Sequence, residues 1–319
     1  MRQPLHLRFV MLIPAAHCGL AIAREDPTDT KGVPASEIPP GVKIIRDVEY
    51  AKVGGLALQL DLYIHADTRT PAPVVLYFHG GGWRNGNKSN CLAGIPLAVK
   101  GYVVASVNYR LSQQAIFPAA IEDCKGAVRF LRANAAKYGV DPAHVAVMGD
   151  SAGGHLAALL GTSGGSKELE GATGGNLEQS SRVQAVVDYY GPIDFIAILS
   201  QKSDIKRGEP GAPEVQLLGG RTLERKDLAI QASPLTYVTK DDPPFLIVHG
   251  EKDPRVPREQ PQALLEALQA AGVEARLHLV KNAKHGFNAA ERNSVIPILT
   301  EFLDKHLKDA AGKSPATAP

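Results

Sequence analysis

The amino-acid sequence predicts an α/β fold in which a doubly wound, mostly parallel sheet carries helices on both faces. Six short runs of apolar and β-branched residues recur between residues 74 and 282, as expected of strands that are buried on both faces. Helical patterns lie between these runs, and such alternation implies right-handed crossovers over a parallel sheet. With 319 residues, 44% of them hydrophobic, the chain can bury one domain of this size.

The predicted elements begin with two β runs, residues 42–53 and 56–65, joined around Gly54-Gly55, which predicts an antiparallel hairpin. The buried strands are predicted at residues 74–80, 102–109, 144–150, 183–191, 245–250 and 275–282. Helices are predicted at residues 118–137, 152–161, 258–271 and 292–307. Gly139 follows the first of these helices and Gly272 follows the third. Glycine is favoured just after a helix C-terminus.

The chain termini indicate export. Arg2 and Arg8 precede a short apolar stretch that ends in Ala21-Ile22-Ala23, which is the pattern of a secretory signal peptide over residues 1–23 and is too short for a membrane span. A frayed apolar N-terminus is the alternative, and Cys18 leaves lipidation as a minor option. We expect a secreted or periplasmic protein without stable membrane insertion after processing.

Composition divides the rest of the chain. Residues 24–40 are rich in proline and polar groups and read as a linker, and residues 310–319 read as a disordered tail. Residues 41–309 are the folded domain. Its one sizeable insertion between strands, residues 195–240, contains Gly219-Gly220 and many charges, and predicts a small lid.

Charge and cysteine content exclude several classes of function. Without residues 1–23, the chain has 33 basic and 33 acidic residues. It therefore has no concentrated basic stripe, and nucleic acid is not expected as a partner. Cys91 and Cys124 lack metal-ligand spacing. Export would permit a disulfide between them, but two separate buried thiols are expected. The sequence does not indicate an oligomeric state.

Ser151 stands in Gly149-Asp150-Ser151-Ala152-Gly153, between a predicted strand and a predicted helix. The glycines could simply form a tight turn between strand and helix. In this context, however, G-x-S-x-G is typical of a strained turn that projects a serine hydroxyl above the sheet, with glycines that avoid clashes between strand and helix. The pattern favours Ser151 as a nucleophile.

A serine hydroxyl is a weak nucleophile until a base takes its proton, so a histidine is expected at another strand end. Among the ten histidines, His285 directly follows the last predicted strand, and Gly286 gives its ring room. His155 lies one helical turn beyond Ser151 and is expected to pack or hydrogen-bond behind the turn. His285 is therefore the predicted base.

The orienting carboxylate is expected between the serine and the histidine in the chain. Asp253 follows the strand that ends at Gly250, and Pro254 follows Asp253. Its rivals are Glu251, which reads as a solvated turn residue, and Asp194, which follows an earlier strand. Asp253 could also be a simple turn former. As the orienting acid, it would hold the neutral tautomer of His285.

Three consecutive glycines follow the first buried strand in Phe78-His79-Gly80-Gly81-Gly82-Trp83. They form either a flexible loop or a loop whose N–H groups approach a ligand oxygen closely. Gly81 and Gly82, together with Ala152 after the serine, are the predicted oxyanion-hole donors. His79 is expected to fix this loop by hydrogen bonding. Trp83 either lines the acyl pocket or caps the core.

HGGGW, GDSAGGH, HGEKD and KHGF, in this order across residues 42–307, resemble the motifs of HGGG-type α/β-hydrolases, akin to hormone-sensitive-lipase-like esterases. FHGGGWRNGNKS and the stretch from NYRLSQQAIFP to GDSAGGHLAALL resemble the bifunctional acetyl and feruloyl carbohydrate esterases more closely. The resemblance implies a catalytic domain with a Ser-Asp-His triad. Hormone-sensitive-lipase-like proteins usually carry an N-terminal helical cap, whereas here the predicted hairpin begins soon after the linker. We therefore expect a small lid or an open rim over the site, which favours short acyl groups or acyl groups on a polymer.

The resemblance implies a secreted serine carboxylesterase that hydrolyses acetyl or feruloyl esters on plant polysaccharides such as xylan, without a metal or organic cofactor. Its partner would be a small-molecule or polysaccharide-borne ester. The alternatives are a general short-chain carboxylesterase, an amide or formamide hydrolase, and a non-catalytic scaffold.

Overall fold

The structure is a computed structural model, and it describes residues 33–308. The predicted signal peptide (1–23), residues 24–32 of the predicted linker, and the predicted tail (310–319) lie outside the described residues. Between residues 33 and 308, no helix is both long and apolar enough to span a membrane. Over the same range, Cys91 and Cys124 are both buried and unpaired.

A single mixed sheet of eight strands runs through the described part of the chain. The strands are β1 (Val42–Val53), β2 (Leu56–His65), β3 (Ala72–Phe78), β4 (Val103–Val107), β5 (Val140–Asp150), β6 (Ala185–Tyr189), β7 (Phe245–Gly250) and β8 (Ala275–Val280). Their order across the sheet is β1-β2-β4-β3-β5-β6-β7-β8. β1 and β2 form the predicted antiparallel hairpin, β2 also runs antiparallel to β4, and all other neighbours are parallel.

The helices lie between the strands of the parallel part. They are α1 (Ala119–Ala133), α2 (Ala135–Tyr138), α3 (Ala152–Thr162), α4 (Pro213–Leu218), α5 (Lys226–Gln231), α6 (Glu259–Ala270) and α7 (Ala289–Leu303). Short 3₁₀ helices occur at Ala35–Glu37, Ile95–Lys100, Lys167–Leu169, Ala197–Ser200 and Pro234–Tyr237, and a π-helical turn occupies Asp304–Lys308.

Helices cover both faces of the sheet. On β3, Val74, Leu76 and Phe78 face one hydrophobic core, and Val75 and Tyr77 face the other. The first core is closed by α1, α3 and α6, and the second by α7 and the 3₁₀ helix Ile95–Lys100. Because both faces are covered, the central strands are mostly apolar, and the polar side chains of Ser106 in β4 and Asp188 in β6 are fully buried. The predicted doubly wound α/β fold is confirmed.

Several element boundaries differ from the prediction by a few residues, and three of the differences have a visible structural reason. The helix predicted at residues 118–137 divides into α1 and α2 at Asn134, whose side-chain amide donates to the carbonyl of Phe130 at 2.9 Å. α7 begins three residues earlier than predicted because Asn288 and Glu291 form a reciprocal capping box. β5 begins four residues earlier than predicted because its first residue, Val140, pairs with β3.

Segments with functional motifs follow four strand ends of the parallel part. The glycine loop follows β3, Ser151 follows β5, and the segments that carry Asp253 and His285 follow β7 and β8. The predicted lid-like insertion lies between β6 and β7 and contains four short helices. Since parallel strands end at the same edge of a sheet, this topology brings distant parts of the chain to one place.

Candidate active site

Ser151 occupies the turn between β5 and α3 in a backbone conformation that side chains rarely adopt, with φ 52° and ψ −114°. The flanking glycines permit close packing there. A Cβ on Gly149 would lie 2.6 Å from the carbonyl oxygen of Phe78, and a Cβ on Gly153 would overlap that same oxygen. Only glycine therefore lets α3 start so close to the end of β3.

A chain of hydrogen bonds joins the three predicted catalytic side chains. The Nε2 atom of His285 lies 2.9 Å from the Oγ atom of Ser151, and its Nδ1 atom lies 2.7 Å from the Oδ2 atom of Asp253. A carboxylate only accepts hydrogen bonds, so the proton of the neutral ring is at Nδ1. Nε2 is then free to accept the proton of the serine hydroxyl.

Asp253 is held as a carboxylate by its surroundings. Its side chain is 1% exposed, and its Oδ1 atom accepts the backbone N–H groups of Arg255 and Val256 at 2.8 and 3.0 Å. Burial alone would raise the pKa of Asp253, but the hydrogen bond and charge of His285 and these two N–H groups lower the pKa below its usual value. Asp253 is thus the ionised end of the hydrogen-bond chain.

The rival carboxylates make other contacts. Glu251 is exposed and accepts the backbone N–H of Asn282 at 2.9 Å. Asp194 accepts the backbone N–H groups of Ile196 and Ala197, both at 2.9 Å. Neither of the two carboxylates has a hydrogen bond to a histidine among residues 33–308.

The glycine loop after β3 presents unused hydrogen-bond donors. Gly81 and Gly82 have φ values of 109° and 62°. Among the described residues, the backbone N–H groups of Gly81, Gly82 and Ala152 have no hydrogen-bond partner. The loop is tied to the serine turn, because the Oδ1 atom of Asp150 accepts the backbone N–H of Gly80 at 3.0 Å. Free donors on both sides of the serine can receive an oxygen that develops negative charge.

His79 fixes the start of the glycine loop. Its Nδ1–H donates to the carbonyl of Gly80 at 2.7 Å, and its ring stacks on Tyr109 with 4.3 Å between the ring centroids. The hydroxyl of Tyr109 in turn donates to the carbonyl of His79. Burial lowers the pKa of His79 to about 4, so the ring is neutral at pH 7.

Trp83 and His155 form a buried pair behind the serine turn. The indole Nε1–H of Trp83 donates to the Nδ1 atom of His155 at 3.1 Å, and the Nε2–H of His155 donates to the carbonyl of Ala232 at 2.7 Å. Burial lowers the pKa of His155 to about 4, so this ring is also neutral. Trp83 is 2% exposed and packs against Phe195, yet it also borders the cavity beside Ser151.

An open cavity of about 310 Å³ lies over Ser151 and His285. Several of its lining residues were not singled out in the sequence: Arg84, Asn85, Tyr190, Pro192, Ile205, Arg207, Pro213, Arg255 and Val256. Ile205, Arg207 and Pro213 belong to the insertion. Tyr190 packs its ring edge-on against His285, with 4.9 Å between centroids. The prediction placed Tyr190 inside a strand at residues 183–191, whereas β6 ends at Tyr189, so its place at the site could not be read from the sequence.

The part of the chain described here contains no group of three or more His, Cys, Asp or Glu side chains that could hold a metal ion. The hydrogen-bonded Ser-His-Asp chain, beside free N–H donors and an open cavity, can attack a carbonyl carbon and stabilise the resulting oxyanion.

Known proteins that are similar to this chain include esterases. The BD-FAE family model matches residues 60–268, and a model for TAP-like proteins, Abhydrolase_4, matches residues 227–315. Esterase LipQ of Mycobacterium tuberculosis is 34% identical over 265 residues, which cover 81% of this chain and 61% of that protein. The chain thus matches less than two thirds of that relative's length.

Solved structures of esterases share the fold, including the following two. A truncated carbohydrate esterase from gut microbiota has a TM-score of 0.76 and 31% sequence identity, with 87% of this chain and 100% of that chain covered. A butyrate-bound esterase from the Planctomycetes species Thermogutta terrifontis has a TM-score of 0.66 and 26% identity, with 87% and 97% covered. Since the BD-FAE model matches more than half of the chain, this protein belongs to the BD-FAE family and is an α/β-hydrolase.

Proposed function

We propose that this protein is a serine carboxylic ester hydrolase in which Ser151 is the nucleophile, His285 the general base and Asp253 the orienting acid. The observation that carries the proposal is the hydrogen-bond chain from Asp253 through His285 to the Ser151 hydroxyl, which ends in an open cavity. The esterase relatives support the same reaction class.

In the first half of the reaction, the Oγ atom of Ser151 attacks the ester carbonyl carbon while the Nε2 atom of His285 takes the serine proton. Asp253 stabilises the imidazolium that forms. The tetrahedral intermediate places its oxyanion against the N–H groups of Gly81, Gly82 and Ala152. Removal of one such donor generally lowers the rate by roughly 100-fold to 1000-fold.

The intermediate then breaks down by general acid catalysis. His285 returns its proton to the alcohol oxygen as the carbon–oxygen bond breaks, which leaves the acyl group on Ser151. Water attacks the acyl-enzyme by the same route: His285 takes a proton from water, and Ser151 leaves with that proton. All proton transfers are carried by side chains named above, so no metal or organic cofactor enters the cycle.

The proposed substrates are acetyl or feruloyl esters on plant polysaccharides such as xylan. A cavity of about 310 Å³ is small for a long fatty acyl chain, and the insertion beside it contains only short helices. An open rim suits an ester that is carried by a polymer. The carbohydrate esterase among the solved structures supports this substrate class, and the signal peptide predicted over residues 1–23 would export the enzyme to such a polymer.

A general short-chain carboxylesterase is the second candidate. The same cavity would hold a small free ester, and the Thermogutta terrifontis esterase, which shares the fold, was solved with butyrate bound.

The test is the hydrolysis of 4-nitrophenyl esters from acetate to long fatty chains, of a feruloyl ester and of acetylated xylan, each with wild type and with Ser151→Ala. We expect kcat/KM to peak at acetate or butyrate, acetate release from xylan, and loss of all these activities in Ser151→Ala. Activity on small esters without release from xylan would favour the second candidate. Rates that increase with chain length would contradict the open-site argument, and activity retained by Ser151→Ala would exclude the proposed nucleophile.

A further inference from the structure

Three arginines that the proposed reaction does not use line the cavity over Ser151. They are Arg84, Arg207 and Arg255, and Asp150 is the one acidic residue among the cavity-lining residues of the described chain. The Oδ1 atom of Asp150 already accepts hydrogen bonds from Tyr77 and Gly80. The cavity is therefore more basic than the reaction requires.

Arg207 is a rigid, buried member of this group. Its side chain is 6% exposed, its Nη1 atom lies 3.0 Å from the Oε2 atom of the fully buried Glu214, and its Nη2–H donates to the carbonyl of Arg255 at 2.7 Å. Its Nε–H has no hydrogen-bond partner among residues 33–308. Glu214 also accepts the backbone N–H of Gly208, which is a second hydrogen bond of this carboxylate within the insertion.

The charges of Arg84 and Arg255 are at most weakly neutralised. Arg84 donates to the carbonyl of Gly211 at 2.9 Å and has no carboxylate within 4.0 Å in the described chain. Arg255 forms a long, solvent-exposed ion pair with Asp204, whose carboxylate lies 4.0 Å from the Nε atom. One unpaired and one weakly paired guanidinium group beside a concave wall produce a positive potential that attracts anions.

Arg207 belongs to residues 204–214, and Arg84 and Arg255 both contact this segment. The three arginines therefore form a defined cluster rather than scattered surface charges. The planar guanidinium matches a carboxylate through paired N–H donors. Resting on the esterase function proposed above, we propose that Arg84, Arg207 and Arg255 form a carboxylate-binding subsite, and that the preferred substrates are esters whose alcohol part carries a carboxylate, such as an acidic saccharide.

The triad places the subsite on the alcohol side of the ester. His285 protonates the leaving alcohol, so the alcohol lies towards His285. Arg255 is two residues after Asp253, the partner of His285, and its backbone N–H donates to the Oδ1 atom of Asp253 at 2.8 Å. Arg207 donates in turn to the carbonyl of Arg255.

The test compares two acetyl esters that differ in the charge of the alcohol, 4-acetoxybenzoate and the neutral 4-acetoxybenzamide. The measured quantity is the ratio of their kcat/KM values, in which effects on folding and on the triad cancel. We expect the double variant Arg84→Gln/Arg255→Gln to lower this ratio by about tenfold or more, because hydrogen bonds to charged groups are the strong ones. Raised salt should lower the wild-type ratio as well.

A matched control is available in Arg276. It is 58% exposed and lies 4.0 Å from Glu301, much as Arg255 is 59% exposed and lies 4.0 Å from Asp204, but Arg276 is outside the cavity. Arg276→Gln should leave the ratio unchanged. An unchanged ratio in the double variant would overturn the subsite. The subsite on the alcohol side would also be overturned if the double variant lowered kcat/KM for 4-nitrophenyl hemisuccinate, whose carboxylate is on the acyl part, but not for 4-acetoxybenzoate.

A binding measurement distinguishes the proposed carboxylate subsite from the proposed esterase function. Calorimetry of 4-hydroxybenzoate with Ser151→Ala measures the subsite without catalysis, and the same titration with Ser151→Ala/Arg84→Gln/Arg255→Gln should show weaker binding. Arginine-dependent binding by a protein that hydrolyses neither ester would refute the esterase function and leave the subsite supported. Hydrolysis of both esters with arginine-independent binding would refute the subsite alone.

Discussion

Replacement of Asp253 by asparagine should invert the hydrogen-bond direction in the triad. The Oδ1 atom accepts the backbone N–H groups of Arg255 and Val256, so the amide oxygen of the new side chain must take this position. The amide NH₂ then faces the Nδ1 atom of His285, which must present a lone pair. The ring proton moves to Nε2, and that nitrogen can no longer accept the proton of Ser151.

The expected decrease in kcat follows from the free-energy cost of the alternative orientation of the amide. If the amide reverses, the correct tautomer of His285 returns, but the part-buried N–H of Val256 loses its acceptor at about 1–3 kcal/mol, and the exposed N–H of Arg255 loses a hydrogen bond worth about 0.5–1.5 kcal/mol. The reversal therefore costs about 1.5–4.5 kcal/mol. Since each 1.36 kcal/mol changes the rate tenfold, kcat should fall between about 10-fold and about 2000-fold.

The assay is steady-state hydrolysis of 4-nitrophenyl acetate at pH 8, with kcat and KM determined separately. KM should change little because Asp253 does not line the cavity. Asp194→Asn is the matched control, because Asp194 also accepts two backbone N–H groups but no histidine. A decrease in kcat of less than tenfold in Asp253→Asn, or an equal decrease in the control, would refute the reasoning.

Three further predictions concern stability. Gly153→Ala should lower the free energy of unfolding in urea by at least about 1–3 kcal/mol, because the new Cβ overlaps a strand carbonyl. Gly165→Ala, where the methyl meets only the end of an arginine side chain, should be nearly neutral, and equal losses would contradict the clash. Trp83→Phe leaves the Nδ1 acceptor of His155 buried without a donor and should cost about 1–3 kcal/mol, whereas an unchanged urea midpoint would show that the hydrogen bond contributes nothing. Burial raises the pKa of Asp188 from 3.8 to about 7, so the folded protein binds this proton more tightly than the unfolded chain and loses stability as pH rises from 4 to 7. Asp188→Asn should remove this loss of about 4 kcal/mol from the free energy of unfolding. An identical dependence of the free energy of unfolding on pH in both proteins would argue against this role of Asp188.

The sequence predicts most of the fold because hydrophobic periodicity reports burial directly. The runs at residues 42–53, 56–65 and 245–250 become strands with the predicted bounds. The break at Asn134 was not predicted, since the apolar spacing continues through it and a side-chain hydrogen bond decides the helix end there. The early start of α7 was readable from Asn288 and Glu291, which have the spacing of a capping box.

The candidate site was only partly predictable. Ser151 stands directly after a predicted strand, and Asp253 and His285 stand three residues after theirs. The topology of a parallel sheet brings such positions together. Arg207 and Glu214 lie in an insertion of short helices that has no periodic signal. The hydrogen bond between Trp83 and His155 joins residues 72 positions apart, and no local pattern specifies such a pairing. Contacts of this kind depend on tertiary packing and need coordinates.

The position of β8 at the edge of the sheet sets how the protein should lose activity on heating. Among the described strands, β8 pairs only with β7, and five of its six residues are partly or fully exposed, whereas Ser151 follows β5, which has a sheet neighbour on each side. Edge elements with exposed backbone hydrogen bonds open first in local unfolding. The base His285 would then detach while the nucleophile and the glycine loop stay folded. Inactivation without global unfolding is the consequence, and amide hydrogen exchange in residues 275–285 should be faster than in β5.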